Sequence, residues 1–221
     1  MKPAAFSLRR FARDFPGPNA RWYVTGKVAS DPLYPAVLEV LRDTTPPLLD
    51  LGCGMGVLSF YLRAHGFDNP IHGIDYDPRK IEAAHHVLQK TNDANITFAQ
   101  GDAREGLPGH HGSVTVLDIL QYFPPGDQAR LLTAAASRIS PDGVLVIRSG
   151  LETPGWRFRF TQWNDRMANR LRWMQAPPVH YPTEESLIST LTKAGLAGTL
   201  RPLHGHTPFN NWLGVFRRAI A

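Results

Sequence analysis

Three glycines at alternate positions, Gly52, Gly54 and Gly56, follow a short apolar run, Leu48, Leu49 and Leu51, that has an acid, Asp50, embedded in it. A helical pattern opens at once with Val57, Leu58, Tyr61 and Leu62. A buried strand, a glycine turn and a helix bring backbone N–H groups against a ligand at the helix N-terminus. A site built only for pyrophosphate would not want the carboxylate of Asp50 at the strand's end, whereas a ligand bearing an ammonium group would. Nineteen residues beyond Gly56, Asp75 closes a second apolar run, Ile71 to Ile74. An acid at that spacing accepts hydrogen bonds from ribose hydroxyls.

The residues Asp50-Leu51-Gly52-Cys53-Gly54-Met55-Gly56, with Gly73-Ile74-Asp75, Gly101-Asp102 and the strand at 143–149, resemble the motifs of class I S-adenosylmethionine-dependent methyltransferases. The resemblance covers about two thirds of the chain. It implies an α/β fold, Rossmann-like, with a seven-stranded sheet, mostly parallel with an antiparallel last strand, and helices on both faces. It further implies S-adenosylmethionine as cofactor and S-adenosylhomocysteine as product. Asp50 and the three glycines would hold the methionine part and Asp75 the ribose. Tyr76 would lie against the adenine, Asp102 would cap its amino group, and the Ala103 N–H would meet a ring nitrogen. Asp77 reads as a helix cap before Pro78. Lys27, Tyr23 or Tyr34 would meet the methionine carboxylate if the N-terminal extension folds over the cofactor; a solvated lysine and core tyrosines are the alternative.

The end of the fourth strand, at Asp118, Gln121 and Tyr122, faces the transferable methyl in this fold. It lacks the Asn-Pro-Pro-Tyr sequence of many amino-methylating enzymes, so no DNA substrate is expected; RNA stays open. A phenol or activated carbon also needs a base. Tyr122, His180, Tyr181, His204 and His206 are the candidates, each with a structural or solvated alternative. No metal is expected: His110 and His111 have no third ligand at metal spacing.

The elements that position these groups are read as one domain within 221 residues. Residues 1–46 form an N-terminal lid, 47–150 the cofactor-binding core, 151–182 a lid insertion, and 183–221 a C-terminal helix with closing strands. Helices are expected at 6–13, 34–41, 78–89 and 128–139, and the linker 106–112 leaves little room for one. With one cysteine and no export signal or membrane span, the chain is expected to be cytoplasmic.

Charge is uneven. Residues 1–30 carry a net +5 and 148–172 a net +4, against +5 for the whole chain. An anionic partner is therefore expected near those segments. Trp156, Phe160, Trp163, Met167, Leu171 and Met174 repeat at helical spacing within roughly an 80° arc, with arginines mostly off it. Three readings follow for 156–174: a lid packed by its apolar stripe, a helix resting on an anionic membrane, or the mouth of a site for a hydrophobic acceptor on an acidic carrier protein. The segments 15–35 and 206–211 also faintly resemble methyltransferases near bacterial aryl-polyene pigment genes.

The sequence thus points to methyl transfer to oxygen or carbon of a small or carrier-tethered aryl or acyl molecule. The alternatives are an RNA- or lipid-directed methyltransferase, an NAD-dependent oxidoreductase sharing the strand–glycine–helix unit, and a non-catalytic docking module.

Overall fold

The computed structural model describes residues 6–170 and 180–219. Five strands, β1 (Leu48–Leu51), β2 (Ile71–Asp75), β3 (Ile96–Gln100), β4 (Ser113–Leu117) and β5 (Leu145–Gly150), pair in parallel. Two more, β6 (Leu196–Pro202) and β7 (Asn211–Arg218), complete the order β3-β2-β1-β4-β5-β7-β6. Strand β7 runs antiparallel between β5 and β6, the arrangement the motifs imply. The strand order reverses direction at β1 and β4, so a crevice opens at their carboxyl ends, where open α/β sheets bind ligands.

Side chains alternate across the sheet with period two. Leu48, Val144, Val146 and Leu213 face one core, shared with α3 (Leu33–Leu41), α4 (Val57–Ala64) and α5 (Pro78–Thr91). Leu49, Leu51, Val114, Val116, Leu145 and Ile147 face the other, shared with α6 (Pro125–Ser137) and α8 (Glu184–Lys193). Helix α5 starts as expected, with Pro78 in its first turn and Asp77 capping the Arg79 N–H at 3.0 Å. No helix forms across 101–112.

The N-terminal extension contains α1 (Leu8–Arg13) and α2 (Gly17–Ser30) ahead of α3. Helix α2 has no apolar stripe, and only Val24 on it is buried, so periodicity gives no sign of it. It is held by its neighbours instead: Arg21 Nε donates to the Phe15 carbonyl at 2.9 Å, and Phe11, Phe15, Phe60 and Phe98 form successive ring contacts down to the sheet.

A buried charge ties this extension to the sheet. Arg148 on β5 is 2% exposed. Its Nη1 donates to both carboxylate oxygens of Asp31, at 2.9 and 3.0 Å, while Nε donates to Asp118 Oδ1 at 2.6 Å and Nη2 to Asp118 Oδ2. Lys27 on α2 completes the set, 3.0 Å from Asp31 and 3.7 Å from Asp118. Burial alone would lower the Arg148 pKa, but Asp118 and Asp31 outweigh it and hold the guanidinium above its ordinary value. Two cations and two anions cancel, and removing one leaves the others buried and uncompensated. Arg148→Ala is expected to cost about 3–5 kcal/mol of unfolding free energy in a urea titration. Adding Asp31→Asn and Asp118→Asn should recover part of that loss.

Candidate functional site

The site is built at the carboxyl end of β1. Asp50 is 2% exposed and lies in register with Gly73 on β2 and Thr115 on β4. Thr115 Oγ1 donates to its Oδ1 at 2.6 Å. Burial raises the Asp50 carboxyl to about 6; the Thr115 hydrogen bond opposes this and the Asp75 charge adds to it. A buried acid poised there is completed by a cation, and within reach of the glycine loop an ammonium group answers that need.

Gly52, Gly54 and Gly56 all have left-handed φ, +74°, +57° and +73°. Two of them are packed shut: a Cβ on Gly52 would lie 2.4 Å from Ile119 Cγ2, and one on Gly56 2.5 Å from Phe98 Cζ. Gly54 differs, with nothing within 4 Å of its Cβ position. The open side of the loop is therefore at its middle glycine. Asp75, at the end of β2, accepts the Gly54 N–H at 2.9 Å on Oδ2 and the Asp77 N–H at 2.9 Å on Oδ1. One carboxylate thus holds the loop and the start of α5, and each oxygen keeps acceptor capacity for a ribose hydroxyl.

Beyond β2 and β3 the groups are more open. Tyr76 is 42% exposed, with Lys80 Nζ 6.0 Å from its ring centre. Asp102 accepts the Arg104 N–H at 2.9 Å and is also held by that guanidinium; hydrogen bonding to Arg104 keeps its carboxyl below the usual range. Ala103 packs partly against the core. Asp50, the three glycines, Asp75, Tyr76, Asp102 and Ala103 thus follow one another across the ends of β1, β2 and β3. The set fits S-adenosylmethionine: an acid for the ammonium, an acid for the diol, an open glycine between them, and an exposed ring.

The other half of the site surrounds the ends of β4 and β5. Asp118 adopts φ +58°, strained for a residue with a Cβ, and its N–H bonds to the Arg148 carbonyl at 2.8 Å. Lys27 and Asp118 therefore meet, but inside the ion set with Asp31 and Arg148. Neither of these partners was singled out as a site residue. An arginine ending the buried run Val144 to Ile147 was the available signal, since a charge there must find counter-ions.

Tyr122 lies in the turn Leu120–Tyr122. Gln128 Nε2 donates to the carbonyls of Leu120, Phe123 and His180, at 3.0, 3.0 and 2.9 Å, fastening this turn to the 180s segment. Tyr181 approaches Gly150, and Phe158 meets Tyr181 edge-on at 5.1 Å. His204 stacks edge-on with Trp212 at 6.4 Å, and Phe209 meets Phe160 at 5.7 Å. His180 and His206 have exposed positions. Gln121 Oε1 and His204 Nδ1 are buried with no hydrogen-bond partner among the described residues. Burial, aided by the Arg157 charge, lowers the His204 pKa against the opposing effect of hydrogen bonding to the Asn211 and Phe209 backbone.

Comparison with known proteins places this geometry. A family model described as "Methyltransferase domain" matches residues 27–200. The ribosomal protein L11 methyltransferase of Burkholderia vietnamiensis is 33% identical over 121 residues, 53% of this chain and 37% of that protein. The trans-aconitate 2-methyltransferase of Streptomyces coelicolor is 28% identical over 158 residues, 68% of this chain and 50% of that protein. The chain thus spans half or less of the length of these curated relatives. Among solved structures, the magnesium protoporphyrin IX methyltransferase of Synechocystis PCC 6803 with bound S-adenosylhomocysteine superposes with a TM-score of 0.68 at 18% identity, covering 96% of this chain and 92% of that one. The mitomycin 7-O-methyltransferase structure gives 0.64 at 21% identity, covering 97% and 61%.

The Asp50 carboxyl sets the sign of a pH effect. A bound ammonium favours the ionised acid, so S-adenosylmethionine affinity should fall as pH drops through about 6. Calorimetry at pH 5.5 in buffers of different ionisation enthalpy should show proton release on binding, and Asp50→Asn should abolish it. A second variant, Gly54→Ala, meets no protein atom and should lose affinity with little loss of stability beyond the strain of its positive φ. Gly56→Ala should unfold at lower urea.

Proposed function

The chain belongs to the methyltransferase-domain family; from that premise we propose that it transfers a methyl group from S-adenosylmethionine to oxygen or carbon of a small hydrophobic molecule, aryl or acyl in character, used either alone or on an acidic carrier protein. The family match separates this reading from an NAD-dependent oxidoreductase, which the strand–glycine–helix unit alone does not.

One observation supports this reading most: the composition of the site opposite the glycine loop. Tyr122, Phe158, Tyr181, Phe209 and Trp212 are all partly buried around the ends of β4, β5 and β7. Among them the unpartnered buried polar atoms are Gln121 Oε1 and His204 Nδ1. Such a surround accepts a flat apolar body and offers few polar groups to orient it. The names of these relatives agree with a small-molecule acceptor, a porphyrin and mitomycin among them, while trans-aconitate is a polar tricarboxylate. The L11 methyltransferase, named for a ribosomal protein, matches over a shorter part of this chain.

When bound, S-adenosylmethionine supplies an electrophilic methyl group on a sulfonium. The work left to the chain is alignment. Asp50 and the glycine loop hold the amino-acid end, Asp75 the ribose, and the Asp118 to Tyr122 turn, fastened by Gln128, borders the acceptor. His204, whose pKa burial lowers, takes the proton of a phenol or activated carbon; a carboxylate acceptor needs no base.

Tritiated methyl from S-adenosylmethionine, offered with hydroxylated aryl acids both free and on acyl carrier protein, should enter the organic-extractable or carrier-bound fraction. Label in RNA or ribosomal protein instead would contradict this acceptor class. For a phenolic acceptor, His204→Ala should lower kcat by about 10²–10⁴-fold with cofactor affinity unchanged.

A further inference from the structure

Helix α7 (Trp156–Arg170) presents two unlike faces. One is fastened to the domain. Arg157 Nη1 donates to the Thr207 carbonyl at 2.5 Å, Phe158 meets Tyr181, and buried Thr161 accepts the Asn210 N–H on Oγ1 at 2.9 Å. At about 100° per residue these three positions centre roughly 140° away from Trp156, Phe160, Trp163 and Met167. The apolar stripe therefore points outward: Trp156 is 63% exposed, Trp163 58% and Met167 39%. Phe160, the remaining member of the row, is half-buried against Phe209, so of the stripe expected to pack a lid Phe160 touches the domain, and the side of Arg157, Phe158 and Thr161 makes the other contacts. Leu171 and Met174, the continuation of the stripe, lie outside the described residues.

A charge sits beside this stripe. Arg159 falls about 60° to one side of Trp156 and is exposed. From Trp156 to Met167 the row runs about 16 Å along the helix.

We infer that α7 is a membrane-surface helix: it lays the Trp156–Trp163–Met167 row into the headgroup boundary of an anionic bilayer, while Arg159 beside it meets lipid phosphates. Tryptophan is favoured at that boundary because its ring is apolar and its N–H stays wet. An arginine on the same side complements anionic headgroups. No helix among the described residues is long and apolar enough to cross a membrane, so the contact is peripheral and reversible. The inference does not depend on which acceptor is methylated.

Flotation of the full chain with vesicles of phosphatidylcholine and phosphatidylglycerol, against phosphatidylcholine alone, tests it. Binding to the anionic vesicles is expected, weakened by salt. Trp156→Glu with Trp163→Glu should lower it at least about tenfold with S-adenosylhomocysteine affinity and circular dichroism unchanged. Arg159→Glu, a single exposed change, should also weaken it. Absence of wild-type binding, or binding equal in the double variant, overturns the inference. So does binding of acyl carrier protein through these residues without vesicle binding, which would make the partner an acidic protein.

Discussion

The carboxylate of Asp75 is the joint on which the cofactor half of the molecule depends. It sits at the end of β2, takes one hydrogen bond from the glycine loop and one from the residue that caps α5. The loop after β1 and the helix after β2 are thereby fixed to one another through two oxygens. In the loop of left-handed glycines, Ile119 and Phe98 fill the space that side chains on Gly52 and Gly56 would need, and the Gly52 and Cys53 N–H groups bond to the Ile74 carbonyl. The third glycine is left open. Anchoring the loop from behind, through backbone N–H groups, keeps that opening on the ligand's side.

On the acceptor side the corresponding joint is Arg148. A guanidinium on a buried strand must be neutralised, and the structure does this with acids from two separate places, Asp31 ahead of α3 and Asp118 after β4. The result couples the N-terminal helices to the turn that carries Tyr122. Strain at Asp118, whose φ is positive, is held by the same set of ion pairs. Helix α7 is added more lightly, through a few polar bonds and the ring contacts of Phe158 and Phe160, and Trp156, Trp163 and Met167 are left outward. The domain therefore combines a rigid cofactor cradle with a peripheral helix whose chemistry suits a surface.

Local patterns made the cradle legible. Strand runs, the glycine spacing, the acids after β1, β2 and β3 and the proline start of α5 are each encoded within a few neighbouring residues, and the antiparallel β7 followed from the family those residues resemble. What escaped depends on contacts distant in sequence. Helix α2 has a single buried residue and hence no period to detect. Lys27 and Asp118 were named separately, but that they share Arg148 and Asp31 is a fact of three dimensions, since Arg148 and Asp31 are 117 residues apart. The stripe on α7 was visible, whereas its direction was not: amphipathicity tells which residues share a face, and only the polar anchors at Arg157 and Thr161 decide that the other face docks.

The most direct measurement is calorimetric titration of the chain with S-adenosylmethionine and S-adenosylhomocysteine, with NADH as control, on wild type and Asp75→Ala. Micromolar binding of the first two, none of NADH, and a loss of about 1–3 kcal/mol in the variant is the predicted result. Binding of NADH in their place, or cofactor affinity indifferent to Asp75, would contradict the account.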